Sequence, residues 1–320
     1  MSIAVTPSIR RRSERTARGR RREVERLLGM SRPQHLVLVV HDPEGHATRL
    51  LPADPAAPHV SVLDASATRG DGVFETISIG AGRPQALNAH LERFARSARL
   101  LDLPEPDPGI WSDAVHAIAE RLADHDEAWV KTVLSRGLDD GGAPSGWAYG
   151  TISPDFRRAR TDGIDVILLD RGLNSDVAQT APWLLAGAKT LSYAVNKAAV
   201  REAQRRGAED ALFVSTDGLL LEGPTSTLIV RRGSVLSTPP PALGILPGTT
   251  QHDLFTAAAD WELTSAVEEL SPEHLRVADA AWLVSSVRLA APLRAVDGVP
   301  LAVDAELTAA MNGFLKARRS

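Results

Sequence analysis

The stretch WLLAGAKTLSYAVNKAAVREAQRRG, residues 183–207, is the most informative part of the sequence for the fold. An apolar run leads into Lys189, a short loop follows, and the remainder predicts a helix that ends at Gly207, a residue type common at helix C-caps. Lys189 is one of very few lysines in the chain, and its apolar approach predicts a position at the edge of the core. Burying an ammonium group is costly, whereas a desolvated lysine has a lowered pKa and forms imines readily. The sequence therefore predicts either a carbonyl partner for this lysine or a side chain that extends to solvent.

Strand patterns and helix patterns alternate on both sides of this stretch. Apolar runs bounded by turn residues predict strands at 35–40, 59–64, 73–80, 129–135, 165–169, 211–215 and 281–286, and GLLLEGPTSTLIVRRGSV (218–235) predicts two strands around a Gly-Pro turn. Helices are predicted over about 87–101, 111–123 and 304–318. This mixture in both halves predicts an α/β or α+β fold with a smaller domain over 34–153 and a larger one over 154–320.

Composition is that of an ordinary globular protein. The chain has 320 residues, of which 43% are hydrophobic and 24% charged, with a formal net charge of −4. It has no cysteine, which excludes disulfides, thiolate metal sites and cysteine nucleophiles and is compatible with a reducing cytoplasm. No apolar run approaches the roughly 20 residues of a membrane span. We therefore expect a cytoplasmic protein with no membrane or nucleic-acid partner and no metal.

The N-terminal segment is strongly basic. Residues 1–29 hold nine arginines against three glutamates, a pattern that could bind nucleic acid or phosphates. A solvated, disordered tail is the interpretation we favour, because charge runs are usually only solvated. Met30 opens MSRPQHLVLVV, which resembles a natural beginning. We expect the basic extension, residues 1–33, to be dispensable for function.

Two further positions carry chemical signals. Glu222 follows three leucines directly, so its carboxylate is poorly placed for solvent and could pair with a buried cation, although an exposed turn glutamate is the alternative. PGTT at 247–250 precedes an amphipathic segment and predicts a glycine loop that opens a helix. Backbone N–H groups, hydroxyls and the positive helix end there suit a phosphate, although Gly-Thr pairs also serve as simple caps.

The order of five motifs identifies a family resemblance. GDGVFET (70–76), HLERFARSARLL (90–101), KTLSY (189–193), EGPTSTLIV (222–230) and GTT (248–250) follow one another as they do in the class-IV aminotransferases, the fold-type IV enzymes that use pyridoxal 5′-phosphate (PLP). The resemblance extends from about Leu36 to the C-terminus. It implies the two-domain architecture of the D-amino acid aminotransferases, and within the family the chain most resembles actinobacterial aminodeoxychorismate lyases.

The resemblance implies roles for individual residues. Lys189 matches the Schiff-base lysine, Glu222 the acid on the pyridine nitrogen, and Arg93 the arginine that clamps the cofactor phosphate, for which a helix-surface arginine is the alternative. The remaining predicted cofactor contacts are the phosphate-cup residues Thr249 and Thr250, the hydroxyl of Ser286, and the aromatic ring of Tyr193, which could equally be a core tyrosine.

Departures from the family pattern concern the substrate pocket. Phe74 stands where D-amino acid aminotransferases have a tyrosine. Those enzymes also have an arginine and a histidine shortly after the end of the corresponding strand, whereas SRGLDDGGAPSG (135–146) has neither after Arg136. Both departures argue against a D-amino acid transaminase pocket. Arg69 lies just before GDG, where an arginine is unusual, and is a candidate partner for a substrate carboxylate or a simple salt-bridging residue. Phe74, Arg69 and Arg136 are the predicted substrate-binding residues.

The resemblance implies a lyase that converts 4-amino-4-deoxychorismate to 4-aminobenzoate and pyruvate, a step toward folate. Lys189 is the predicted general base. An aminotransferase acting on D-amino or branched-chain amino acids is the alternative reaction, since the cofactor residues serve both. A PLP-binding protein without catalysis is the alternative from another class, which the presence of Lys189, Glu222 and Arg93 disfavours. The resemblance further implies a homodimer.

Overall fold

The computed structural model describes residues 32–138 and 141–318. The basic segment 1–29 lies outside the described residues. From residue 34 onward, the described residues form one compact unit. The mixture of strands and helices predicted for both halves of the chain is confirmed, and two sheets organise the structure.

An antiparallel sheet of six strands forms the first half, in the order β2-β1-β6-β5-β3-β4. Its strands are β1 Gln34–His41, β2 Ala47–Ala53, β3 Gly72–Gly80, β4 Arg83–Pro84, β5 Glu127–Ser135 and β6 Ser145–Ile152. Three helices accompany it, α1 Ala65–Thr68, α2 Leu87–Leu100 and α3 Pro108–Arg121. The strand predicted at 59–64 is wrong, because these residues form turns and an isolated bridge, and β2 and β6 were not predicted.

Helix α2 illustrates how the apolar pattern positions an element. Its apolar residues recur at helical spacing, and all five are buried in the core between α2, α3 and the first sheet: Leu87, Leu91, Phe94, Ala98 and Leu101. The helix packs on β3 and ends before Pro104, as predicted. This contact brings the polar residues of one end of α2 against the buried face of β3.

A mixed sheet of eight strands forms the second half. Seven run in the order β11-β10-β9-β12-β13-β7-β8, and β14 pairs with β13. Its strands are β7 Ile164–Asp170, β8 Asp210–Val214, β9 Thr227–Arg232, β10 Val235–Thr238, β11 Thr264–Val267, β12 Ala280–Ser285, β13 Leu289–Val296 and β14 Val299–Pro300. The helices are α4 Arg157–Thr161, α5 Val177–Thr180, α6 Ala194–Arg205, α7 Thr249–Thr256, α8 Pro272–Arg276 and α9 Ala305–Ala317, with 3-10 turns at Pro182–Leu184, Pro241–Leu243 and Ala258–Trp261.

The segment around Glu222 differs from its prediction. Only the second of the two predicted strands forms in full, as β9, and the run before Glu222 makes a single bridge from Leu220 to Val214. Helix α6 and its cap agree with the sequence pattern, since the helix ends at Arg205 and Gly207 adopts a positive φ of 81°. The proposed domain division near residue 153 stays a prediction. Among the described residues, no helix has both the length and the apolar character needed to cross a bilayer.

Candidate active site

A cavity of about 870 Å³ brings the two halves of the chain together. All seven predicted cofactor residues line this cavity: Arg93, Lys189, Tyr193, Glu222, Thr249, Thr250 and Ser286. These side chains come from α2, the loop before α6, the turn before β9, the start of α7 and the end of β12. The cavity therefore collects residues that are as far as 193 positions apart, counting from Arg93 to Ser286.

The loop that carries Lys189 is held against β3 by its backbone. The Phe74 N–H donates to the Lys189 carbonyl at 3.0 Å, and the Leu191 N–H donates to the Gly72 carbonyl at 2.8 Å. The Lys189 N–H donates to Ser97 Oγ at 3.2 Å. The Lys189 backbone makes two of these hydrogen bonds and Leu191 the third, so the lysine side chain enters the cavity from a rigid base.

The Lys189 amine lies among aromatic rings. Its Nζ is 4.6 Å from the centroid of the Phe74 ring and 5.9 Å from that of Tyr193. Burial lowers the pKa of Lys189 to about 8, although the carboxylates of Glu75 and Glu222 oppose this shift. A lowered pKa supplies the neutral amine that imine formation and proton abstraction both need.

Glu222 lines the same cavity in an environment that disfavours its charge. Burial raises the pKa of Glu222 to about 7, while a backbone bond from Leu246 and the charge of Lys189 act in the opposite direction. The Leu246 N–H donates to Glu222 Oε2 at 3.2 Å. A cation next to this carboxylate, such as a protonated ring nitrogen, is what would stabilise its ionised form.

Tyr193 is oriented by the turn after Glu222. Its hydroxyl donates to the Pro224 carbonyl at 3.0 Å, and Asn196 Nδ2 donates to the same oxygen at 2.7 Å. The Tyr193 ring meets the Phe74 ring edge-to-face, with centroids 5.2 Å apart. Burial raises the pKa of Tyr193, so the phenol stays protonated.

The start of α7 has the features of a phosphate cup. Gly248 is the N-cap, and no side chain caps the helix, so its first N–H groups have no side-chain partner. Thr250 is buried, and its Oγ1 has no hydrogen-bond partner. A Cβ at Gly248 would lie 2.2 Å from Thr227 Oγ1, so only glycine fits there. An orphaned buried hydroxyl beside an uncapped helix start fits a phosphate group.

A buried ionic cluster supports this cup from behind. Glu75 Oε1 accepts from Arg93 Nε at 2.7 Å, and Glu75 Oε2 lies 2.7 Å from His90 Nδ1. The opposite ring nitrogen, His90 Nε2, lies 3.3 Å from Thr249 Oγ1 and 3.1 Å from Ser286 Oγ. Glu75 and His90 are both fully buried. Burial acts to raise the pKa of Glu75, but the charge and hydrogen bonds of Arg93 outweigh it and hold that pKa well below its usual range.

Sequence reasoning did not select Glu75 or His90, although a signal was present. Along β3, Glu75 is in phase with Val73, Ile77 and Ile79, which are all buried, so strand alternation puts its carboxylate on the core face. A buried carboxylate needs a cation, and Arg93 supplies it. Three of the Arg93 nitrogens are already bonded, two to Glu75 and one to the Pro247 carbonyl at 2.9 Å. Its role as a phosphate clamp stays a prediction.

The predicted substrate residues divide between the cavity and the surface. Phe74 lines the cavity, whereas Arg69 and Arg136 do not. Arg136 is bound to Asp71, with Nε 2.6 Å from Oδ2, and to the Leu101 carbonyl at 2.6 Å. These contacts give Arg136 a structural function in this chain, and Arg69 is exposed.

Lys131 is a cavity residue that the sequence analysis did not select. It projects from β5, and its Nζ lies 5.0 Å from the Phe74 ring centroid. Burial lowers the pKa of Lys131, and the nearby Lys197 acts in the same direction. Lys197 also lines the cavity. The period-2 pattern of WVKTVLS offered a signal, because it placed a lone lysine on a strand next to the predicted site.

We expect the substitution Glu75→Gln to destabilise the fold by about 3–5 kcal/mol, because it leaves Arg93 charged and buried without its carboxylate. Urea unfolding of both proteins at neutral pH measures this difference. Glu120→Gln is the matched control, since Glu120 is exposed on α3. Because the pKa of Glu75 is depressed, the stability that its carboxylate contributes is fully present above pH 4.5, the ordinary pKa of a glutamate. This stability is lost as the pH falls toward the lower pKa of the folded protein. Equal stability of the two variants would disprove the cluster's structural role.

Comparison with known proteins identifies the family. The sequence model of the amino-transferase class IV family matches residues 72–296. The chain is 44% identical over 256 residues to a bifunctional aminodeoxychorismate lyase / D-amino acid transaminase of Mycobacterium tuberculosis, which covers 76% of this chain and 88% of that protein.

Solved structures agree with this match. A fold IV-transaminase of Curtobacterium pusillum superposes with a TM-score of 0.85 at 49% identity and covers 89% of this chain and 100% of that one. The PLP-bound form of a hypothetical aminotransferase of Mycobacterium tuberculosis superposes with a TM-score of 0.80 at 39% identity and covers 89% and 98%. The predicted fold type is confirmed. This protein therefore belongs to the class-IV aminotransferases, the enzymes whose cofactor is pyridoxal 5′-phosphate.

Proposed function

We propose that this enzyme is a 4-amino-4-deoxychorismate lyase, which forms 4-aminobenzoate and pyruvate. The observation that carries the proposal is the positive charge of the cavity lining, to which Lys131 and Lys197 both contribute, with Lys131 beside the Phe74 ring that also contacts Lys189. The proposed substrate has two carboxylates, one on its ring and one on its enolpyruvyl group. Lys131 is half-buried and has no ion-pair partner among the described residues, so it is suited to bind such a group.

The cofactor is held, in this proposal, by the residues that the sequence selected. Lys189 carries it, Glu222 faces its ring nitrogen, and Tyr193 contacts its ring. The phosphate binds at the start of α7, with the hydroxyls of Thr249, Thr250 and Ser286 as donors and Arg93 as the neighbouring positive charge. When bound, PLP supplies an electron sink for the bond changes at the substrate.

The chain's own residues then move protons and exclude water. Lys189, whose pKa is lowered to about 8, removes the proton from the substrate carbon that bears the amino group. Expulsion of the enolpyruvyl group makes the substrate ring aromatic, which drives the reaction forward. Lys189 then returns the proton to the departing three-carbon unit, which becomes pyruvate. Phe74 and Tyr193 keep this part of the cavity apolar, so the amine is not fully hydrated.

Transamination is the second candidate, because the Mycobacterium tuberculosis relative combines both activities in its name. Both reactions begin with the same amine and the same lysine, so the cofactor residues serve either. Phe74 in the position of a tyrosine and the lysine-lined pocket favour the lyase as the main activity. We further propose that the enzyme acts as a homodimer in the cytoplasm and supplies 4-aminobenzoate for folate.

One assay separates the two candidates. Purified protein is incubated with PLP and enzymatically generated 4-amino-4-deoxychorismate, without any keto acid, and 4-aminobenzoate is followed by fluorescence. A lyase releases the product under these conditions, whereas a transaminase needs a keto acid to complete its cycle. No product from PLP-loaded protein, together with turnover of D-alanine or a branched-chain amino acid with 2-oxoglutarate, would replace the lyase by a transaminase.

A further inference from the structure

His90 connects the buried cluster to the phosphate cup through both of its ring nitrogens. Nδ1 lies 2.7 Å from Glu75 Oε2, and Nε2 lies 3.1 Å from Ser286 Oγ and 3.3 Å from Thr249 Oγ1. The ring is fully buried, so water does not compete for either nitrogen. The protonation state of the His90 imidazole therefore determines whether the two hydroxyls donate a hydrogen bond to it or accept one from it.

The tautomer of His90 follows from its partners. The Glu75 carboxylate can only accept hydrogen bonds, because Arg93 keeps it ionised, so the proton of a neutral His90 resides on Nδ1. Nε2 then has a lone pair and no hydrogen. It can interact with Thr249 and Ser286 only by accepting from their hydroxyls, which turns their hydrogens away from the cup.

A phosphate ester needs the opposite arrangement. Its oxygens are strong acceptors, so the cup must offer hydrogens. If His90 gains a second proton, Nε2–H donates to the hydroxyl oxygens of Thr249 and Ser286. Their hydrogens are then free to bond to the phosphate, together with Thr250 Oγ1, which has no hydrogen-bond partner, and the first N–H groups of α7, which no side chain caps.

We propose that His90 is a positioning residue that takes up a proton when the phosphate of the cofactor binds, and that this proton turns the hydroxyls of Thr249 and Ser286 into donors. The proton comes from solvent, and no covalent bond changes. The inference rests on the proposed phosphate cup but holds for a lyase and for a transaminase alike.

The charges around His90 favour such a switch. Burial lowers the pKa of His90, the Glu75 carboxylate opposes this, and the guanidinium groups of Arg93 and Arg318 lower it again. Arg318 is itself paired with Asp253 of α7 at 2.7 Å. His90 is therefore neutral in the cofactor-free protein near neutral pH. A phosphate dianion adds negative charge beside the two hydroxyls and raises the affinity of His90 for its proton.

Calorimetry of the full chain, freed of cofactor, tests this proton uptake. Methyl phosphate is the probe, because it lacks the aldehyde and ring that would react with Lys189. At about pH 8 it is a dianion, since phosphate monoesters have a second pKa of about 6. Titrations in buffers of different ionisation enthalpy should show uptake of up to one proton per molecule bound. Affinity should fall by up to about tenfold per pH unit as the pH rises further.

Three variants identify the group that is protonated. His90→Gln presents a permanent amide donor and should take up as much as one proton less per methyl phosphate bound than the parent protein, because Lys189 and Glu222, which also titrate in this cavity, are the same in both. His252→Gln alters an exposed histidine of α7, the helix whose start forms the cup, and should behave like the parent protein. Thr250→Val should weaken binding at every pH, which shows that the probe occupies the cup.

The outcomes separate the inference from its premise. Unchanged affinity in Thr250→Val, or no binding of the probe, would overturn the phosphate cup and the inference together. Binding that depends on Thr250 but takes up no proton in the parent would overturn the inference alone, as would proton uptake in His90→Gln equal to that of the parent. Should His90→Gln fail to fold, NMR of protein labelled with ¹⁵N-histidine tests the inference. One imidazole must become doubly protonated when PLP is added, and the same change in His252→Gln shows that this imidazole is not His252.

Discussion

The substitution Lys189→Ala is expected to lower the turnover of 4-amino-4-deoxychorismate by at least about 10³-fold, in the range that a lost general base produces. At a pKa of about 8, roughly a tenth of the Lys189 side chains are neutral at pH 7, compared with about 0.03% at the ordinary value of 10.5. The cavity thus raises the supply of free amine by roughly 300-fold, and alanine removes it.

The measurement has two parts. Release of 4-aminobenzoate gives the activity, and the visible absorption of the PLP-loaded protein reports the bond to the lysine, which the variant cannot form. Lys316→Ala is the matched control, because Lys316 lies at the surface in a pair with Glu127 and its loss should leave turnover unchanged. Full activity in Lys189→Ala would refute the assignment of this residue, and with it the mechanism.

The second large effect is expected for Glu222→Gln, which should lower kcat by about 10²–10³-fold. Burial raises the pKa of Glu222 to about 7 in the chain without its cofactor. Beside a protonated ring nitrogen the carboxylate would be ionised, and a neutral amide cannot hold that proton equally well. The amide has nearly the same shape, so substrate binding and the fold should change little.

Steady-state kinetics and the pH dependence of the cofactor spectrum test this expectation. The variant should lose most of kcat with a small change in KM, and the ring nitrogen should release its proton at lower pH than in the parent protein. Glu269→Gln is the control, since Glu269 is exposed in the same half of the chain. Wild-type kcat in Glu222→Gln would show that this carboxylate has no part in the reaction.

The phosphate cup and the ionic cluster behind it depend on each other. Glu75 orients Arg93 and His90, and His90 reaches the two hydroxyls of the cup. A substitution at Glu75 should therefore affect cofactor affinity as well as stability, because it removes the charge that fixes the tautomer of His90. A cluster of this kind explains why three polar residues occupy the interface between α2 and β3 that apolar residues otherwise fill.

Local patterns were sufficient for the elements that bury an apolar face. The sequence correctly predicts helix α2, helix α6 with Gly207, and strands β3, β5, β7 and β12. In each of them the buried side chains lie on one face or in one continuous run, so apolar residues occur at the spacing typical of the element. The run 59–64 shows the limit of this reasoning. Val60, Val62 and Leu63 form an apolar pattern but remain exposed, and the segment makes no ladder.

The order of the chemical motifs also revealed the family and its cofactor, since each motif combines a residue type with a turn or helix end that its chemistry requires. Of the three residues that the sequence suggested for substrate binding, only Phe74 lines the cavity. Arg69 and Arg136 were selected and lie elsewhere, whereas Lys131 and His90 were passed over and line or support the site. Their places follow from the packing of α2 on β3 and of the Lys189 loop on β3, contacts between segments far apart in the chain. Local sequence records which face of an element is buried, but only the folded chain determines which buried faces meet.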